Sequence, residues 1–160
     1  MTKRTALIGL GGNLGDRRAN LRKALALLNR APGVRVLSVS RFIETAPVGG
    51  PAGQGRYLNA AARAETTLSP ADLLAALHRI EAALGRDRKR EVRWGPRTCD
   101  LDILLMGSMI VKTKDLTIPH PRMHERLFVL RPLAKIAPRA VHPILHKTVA
   151  RLLVELEGRA

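Results

Sequence analysis

The chain has 160 residues, 46% of them hydrophobic, and a single cysteine. It is long enough for one domain with a buried core over residues 1–160, an intrachain disulfide is excluded, and no apolar run reaches membrane-spanning length. Lys and Arg total 28 against 13 Asp and Glu, a formal charge of +15. That balance favours a polyanionic partner (nucleic acid, an anionic membrane or a phosphorylated small molecule), unless arginine is simply the preferred surface cation. The first apolar run is too short for a secretory signal, and a reducing cytoplasm is the expected compartment.

Thr5 to Leu10 reads as a short apolar strand. Gly11, Gly12, Asn13 and Gly15 make a turn, with Asp16 placed to cap a helix. Leu21, Ala24, Leu25 and Leu28 recur at helical spacing, and Ala31-Pro32-Gly33 ends the helix. Val34 to Thr45 reads as one long strand, and the Gly- and Pro-dense segment from Pro47 to Gly55 as a loop. Tyr57 to Thr67 is a second long strand, of small residues. Ser69-Pro70 is a cap followed by proline at the first helical position, with Asp72 in the first turn. Leu73, Leu74, Leu77, Ile80, Glu81 and Leu84 line that helix, and Gly85 stops it. A charged loop, Arg86 to Arg97, leads into a strand beginning Asp100-Leu101-Asp102. The order β-α-β-β-α-β predicts an α+β fold with a ferredoxin-like core, an antiparallel sheet with helices over one face. Beyond it, Met109–Val111 and Leu116–Ile118 predict a small hairpin. His120 to Leu133 reads as a turn with short helical pieces, and Pro143 to Glu157 as a terminal helix.

Several familiar motifs fail. With Gly9 and Gly11 as the first two glycines of a dinucleotide fingerprint, the third falls on Leu14. A Walker loop, zinc-ligand spacing and a nucleophile elbow are all missing from the sequence. The glycine run therefore reads as a tight strand-to-helix turn. Cys99 reads as a small buried hydrophobe.

The acid pair is the most informative feature. Residues i and i+2 of a strand share a face, so Asp100 and Asp102 emerge side by side at the head of an apolar strand. Burying both unpaired is very costly. The positive partner is expected to be Arg93, Arg97, or a divalent metal brought in with a phosphate substrate. A salt-bridged pair on an edge strand is the plainer alternative. The arginine-rich run that precedes the pair suits phosphate oxygens, although a charge run is usually a solvated loop. His120 with Arg122 and Arg126 forms a second cationic group. Asn59 sits in an apolar strand, where its amide either bonds a neighbouring loop or reads the edge of a heterocycle. The chain has four aromatics, Phe42, Tyr57, Trp94 and Phe128, and three of them flank these polar motifs, where they could stack on a flat ligand. Metal, arginines, a planar-ligand pocket and no covalent nucleophile suggest phosphoryl-type transfer from a nucleotide to a heterocycle.

Six segments then resemble one family, in order and across nearly the whole chain: GGNLGD (11–16), FIETAPVG (42–49), YLNAA (57–61), IEAALGR (80–86), WGPRTCDLDILL (94–105) and IPHPRMHERLFVL (118–130). The family is the 6-hydroxymethyl-7,8-dihydropterin pyrophosphokinases. The resemblance implies the ferredoxin-like fold, ATP and the pterin alcohol as substrates, release of AMP, and two Mg2+ ions held by Asp100 and Asp102. It implies catalytic roles for Asp100, Asp102, Arg86 and Arg97, and ATP binding by Arg88, Lys89, His120, Arg126 and Glu81. It also implies pterin binding by Thr45, Ala46, Val48, Tyr57, Asn59, Trp94 and Phe128, with Trp94 on a closing loop. A monomer with no membrane or nucleic-acid partner is expected; a ferredoxin-like nucleic-acid-binding module is the competing expectation. The chain departs from the pattern at Gly12, where Ser is common and where glycine is expected to loosen the first loop. It also departs at Ala46, His78 and Cys99.

Overall fold

The computed structural model describes residues 2–47, 49–86, 95 and 97–159. The expectations for Val48, Arg88, Lys89, Arg93 and Trp94 fall outside them.

Nine residues, Arg4–Gly12, form β1, longer than the apolar pattern alone suggests because pairing on both sides carries it through its glycines. Asp16 accepts a hydrogen bond from the Ala19 amide and starts α1, Arg17–Arg30. The expected single strand from Val34 to Thr45 is two: β2, Val34–Val39, and β3, Ile43–Thr45. The break has a local cause. Buried Ser40 accepts the Ala61 N–H on its Oγ, a bond that a continuous strand would have made with backbone. Strand β4, Tyr57–Thr66, follows. Then comes α2, Pro70–Ala83, capped by Ser69 through the Asp72 amide, with Gly85 in the left-handed region at φ +92° beyond its end. Strand β5, Asp100–Met106, completes an antiparallel sheet ordered β2-β4-β1-β5, with β3 taking over as partner of β4 near Tyr57–Asn59.

Alternation along the strands divides the core in two. Ala6, Ile8 and Leu10 of β1 with Leu101 and Ile103 of β5 pack under Leu21, Leu28, Leu73 and Leu77 of α1 and α2. Each fully buried Leu or Ile contributes roughly 1.5–3 kcal/mol of apolar burial. The other face is covered as well, by the C-terminal part of the chain. Leu7, Ala61, Leu104 and Leu105 pack against Leu130 and Leu133 of α3, Leu127–Ile136, and Val149 and Leu152 of α4, Val149–Arg159. A single 3-10 turn, Met123–Glu125, matches the expected short pieces, and α3 then runs on as a full helix. Pro132 lies inside it, and burial of Leu130 and Leu133 against the sheet outweighs the hydrogen bond that proline cannot make. The hairpin β6, Val111–Lys112, and β7, Thr117–Ile118, is present but short. A second hairpin joins β8, Val141–His142, to β9, Lys147–Thr148, and its turn and β9 occupy what the sequence assigned to the start of the terminal helix. Among the described residues, no helix is long and apolar enough to cross a membrane.

Helices α3 and α4 cover only part of their face. Toward the C-terminal end of β1 the sheet floors a cavity of about 350 Å³.

Candidate active site

The cavity follows from the pleat. Gly9 and Gly11 of β1 share the face of Leu7, while Asn59 and Ala61 of β4 and Asp100 and Asp102 of β5 lie on the same side. The register forms two rows across three strands: Asn59–Gly11–Asp100 and Ala61–Gly9–Asp102. Two carboxylates and one carboxamide thus face each other over a central strand without side chains. Of the expected site residues, Thr45, Ala46, Tyr57, Asn59, Arg86, Arg97, Asp100, Asp102, His120, Arg126 and Phe128 all line this cavity. Six segments distant in sequence meet there.

Arg86 supplies the cation beside the acid pair, a role for which the sequence had put forward Arg93 and Arg97. Its Nη1 donates at 2.7 Å to both Glu81 Oε2 and Asp100 Oδ1, and its side chain is 8% exposed. Glu81 does not line the cavity as the expected ATP contact. It is buried beneath, 1% exposed, where its Oε2 also accepts the Leu101 N–H at 2.8 Å. Arg86 is thereby shared between two carboxylates, and Asp100 keeps an exposed side, 38% of its side chain. The Asp102 carboxylate accepts no hydrogen bond and makes no ion pair among the described residues. Burial, and then the neighbouring charges of Asp100 and Glu81, push its carboxyl up to about 7.

Asp100, Asp102 and Glu81 thus gather around the Arg86 guanidinium, and a divalent cation would relieve the repulsion among them. Among the described residues, no group of three or more His, Cys, Asp or Glu gathers in metal-binding geometry. Two carboxylates with phosphate oxygens and water completing the shell is the arrangement magnesium favours. The residues present fit that ion.

Across the cavity, Asn59 Nδ2 donates to the Thr45 hydroxyl, which fixes the carboxamide's orientation. A Cβ on Gly11 would lie 2.6 Å from Asn59 Oδ1, so that glycine leaves the amide its place. Tyr57 hydroxyl donates to the Gly95 carbonyl at 2.9 Å and ties β4 to the segment before β5. The Arg126 guanidinium lies 5.5 Å from the Phe128 ring centroid. Burial pushes His120 down to about 4, aided by Arg126, so its imidazole is neutral at neutral pH. The Arg122 N–H donates to His120 Nδ1 at 3.2 Å, which puts the ring proton on Nε2. Phe42 belongs elsewhere, against the α1–α2 core with Arg18 over its ring.

Sequence reasoning missed Asn13 by reading the glycine run as a plain turn. Asn13 is 8% exposed. Its Nδ2 donates to the Gly55 carbonyl at 3.0 Å and to Gln54 Oε1 at 3.2 Å, and its Oδ1 accepts the Arg97 N–H at 2.9 Å. The Asn13 and Leu14 amides both donate to the Arg97 carbonyl. One side chain thus fastens the loop before β4 to the segment before β5. The available signal was an amide residue, hard to leave unpaired, between glycines at a strand end. The glycine beside it tightens this junction instead of loosening it, because a Cβ on Gly12 would run into the Thr98 carbonyl. Asn13→Ala removes three hydrogen bonds and should cost about 1–3 kcal/mol. It should also raise the KM of both substrates, as thermal denaturation and steady-state kinetics would show.

The family model for 7,8-dihydro-6-hydroxymethylpterin-pyrophosphokinase (HPPK) matches residues 7–138. A Bacillus subtilis protein named 2-amino-4-hydroxy-6-hydroxymethyldihydropteridine pyrophosphokinase is 53% identical over 131 residues, 82% of this chain and 77% of that one. One of the same name from Pseudomonas aeruginosa is 45% identical over 131 residues, 82% of this chain and 79% of the other. The bifunctional protein FolKE of Lactococcus lactis is 36% identical over 152 residues, and this chain spans only 43% of its length. In fold, the wild-type Plasmodium falciparum HPPK-DHPS structure with pteroate superposes with a TM-score of 0.77 at 13% identity, covering 99% of this chain and 45% of that one. These likenesses make the chain an enzyme of the pyrophosphokinase class. More narrowly, it belongs to the 7,8-dihydro-6-hydroxymethylpterin-pyrophosphokinase family.

Proposed function

We propose that the chain transfers the β,γ-pyrophosphoryl unit of ATP to the hydroxymethyl oxygen of 6-hydroxymethyl-7,8-dihydropterin and releases AMP, as a step of folate biosynthesis. The observation that carries this reading is the meeting, in one cavity, of an acid pair with a fixed carboxamide and the aromatics Tyr57 and Phe128. Asn59 reads the polar edge of the ring, held by Thr45, while Tyr57 and Phe128 cover its faces and Ala46 and Val48 complete the pocket. Asp100 and Asp102 would hold two Mg2+ ions. When bound, these would draw phosphate oxygens together and offset charge on the transferred group. Arg86 and Arg97 place guanidinium beside that group, where charge develops during in-line attack. His120, through its Nε2 proton, and Arg126 hold the remaining phosphates, with Arg88 and Lys89 assisting from the charged loop. Trp94 closes the site and excludes water. Glu81 acts beneath ATP by positioning Arg86.

The path through β1, α1, β2, β4, α2 and β5 supports a ferredoxin-like core in one domain, and we propose that the enzyme works as a monomer in the cytoplasm. A nucleic-acid-binding module is disfavoured, since a base-stacking sheet needs clustered aromatics and, among the described strands of the sheet, Tyr57 alone is aromatic. The deciding experiment supplies the chain with ATP, magnesium and the pterin alcohol and resolves the nucleotide products. AMP, formed only with both magnesium and the pterin, is expected. ADP as product, or nucleotide turnover indifferent to the pterin, would refute the assignment.

A further inference from the structure

Three glycines near the end of β1 touch the site or its rim, and they are glycine for different reasons. Gly12 leaves room for the Thr98 carbonyl, and Gly11 for Asn59 Oδ1. Gly9 has neither constraint. A Cβ there would rest 3.5 Å from the Leu104 methyl carbons, an ordinary contact, and its φ lies outside the left-handed region. Glycine inside a strand weakens it relative to alanine, through lost chain entropy and a missing packing partner. The fold therefore gains nothing from the missing side chain.

What its absence does is open the cavity. Gly9 lines the floor and keeps partial exposure, although β1 is paired on both sides. It lies between Ala61 and Asp102, one row below Asn59–Gly11–Asp100. From β4 across β1 to β5 are two strand spacings, about 9–10 Å in all. A flat bicyclic ring with a one-carbon arm spans that width, its polar edge toward the amide and its hydroxyl toward the acids.

We propose that Gly9 is a specificity-determining residue, whose bare backbone sets the depth at which the acceptor ring lies against β1 between Asn59 and the acid pair. A methyl group there lifts the ring away from the sheet, out of reach of the fixed carboxamide. This rests on the pterin reading of the cavity. The test is Gly9→Ala in the full chain, with both substrates varied and the melting temperature recorded. The pterin KM should rise about 10- to 100-fold, in the range of one misplaced methylene. The ATP KM and kcat should stay near those of the unaltered protein, because the lost contact is one of acceptor binding. The melting temperature should rise by about 1–4 °C, from the strand's gain over glycine. A pterin KM within about twofold of the unaltered enzyme would overturn the inference alone, since it shows that the space is unused. A lower melting temperature would overturn it too, by showing that the fold needs the glycine. An unaltered protein that fails to transfer pyrophosphate would remove the functional reading and this inference with it.

Discussion

Asp102→Asn is expected to lose about a thousandfold or more of turnover, and yet to melt at a higher temperature than the unaltered protein when magnesium is withheld at pH 8. The two effects share one cause. Asp102 is half-buried on the cavity floor beside Asp100 and Glu81, and its carboxyl is held up at about 7 in the fold against an ordinary value of 3.8. A raised folded value means that the protonated form is the one the fold tolerates. The stability attached to that proton is fully present below about pH 4 and is lost as pH rises through about 7. At pH 8 the ionised side chain is therefore a cost to the metal-free fold, on the order of a few kcal/mol. Asparagine keeps the shape without the charge and should recover part of that cost, a shift of a few degrees or more.

His120 titrates with the opposite sign. Its folded value of about 4 lies below the usual 6.5, so its contribution is present above about pH 6.5 and falls away toward pH 4. The Asp102 effect must consequently be read as the difference between variant and unaltered protein across pH 4 to 8. Adding magnesium with a nonhydrolysable ATP analogue should reverse the order, because only the unaltered site gains binding energy from the ion. An Asp102→Asn protein that melts below the unaltered one at pH 8 without magnesium would show that the carboxylate is structurally satisfied. The metal assignment would then fall.

Period-two alternation sufficed to put both aspartates on one face, because the strand's apolar residues leave no other register that buries Leu101 and Ile103. Helices α1 and α2 were legible from their caps, Asp16 and Ser69-Pro70, since capping is local chemistry. What failed was tertiary. His120 to Leu133 read as a turn with short helical pieces, and only the burial of Leu130 and Leu133 against a sheet laid down much earlier in the chain holds α3 together as one helix. The β8–β9 hairpin is two residues on each side, too short for any periodicity to register. The grip of Arg86 on Glu81 and Asp100 was not legible either, because it depends on how α2 ends beside β5, a distance that no local pattern encodes. The glycines of β1 were the hardest case. In one dimension they look like a turn; only with a neighbour on each side does it emerge that they clear a floor between an amide and two acids.

Glu81→Ala should destabilise the protein by about 3–5 kcal/mol, because it breaks the buried ion pair with Arg86 and takes the acceptor from the Leu101 amide. Glu81 Oε2 takes the Leu101 N–H on the outer edge of β5, where the sheet has no further strand among the described residues. The same oxygen shares Arg86 with Asp100. Glu81→Gln separates the two functions. Glutamine can still accept the Leu101 amide, so its cost should be smaller, about 1–2 kcal/mol. It no longer draws charge from Arg86, whose guanidinium is left to Asp100. A fully engaged Asp100 is a poorer magnesium ligand, so the magnesium concentration for half-maximal activity should rise about tenfold, as a loss near 1.4 kcal/mol implies. The pterin KM should not move, since Asn59 and the aromatics lie on the far side of β1. A magnesium titration of the Glu81→Gln enzyme, run beside its melting curve, decides the matter. If the stability drop comes with an unchanged magnesium requirement, Glu81 braces the strand edge alone and has no part in setting how strongly the acid pair holds a cation.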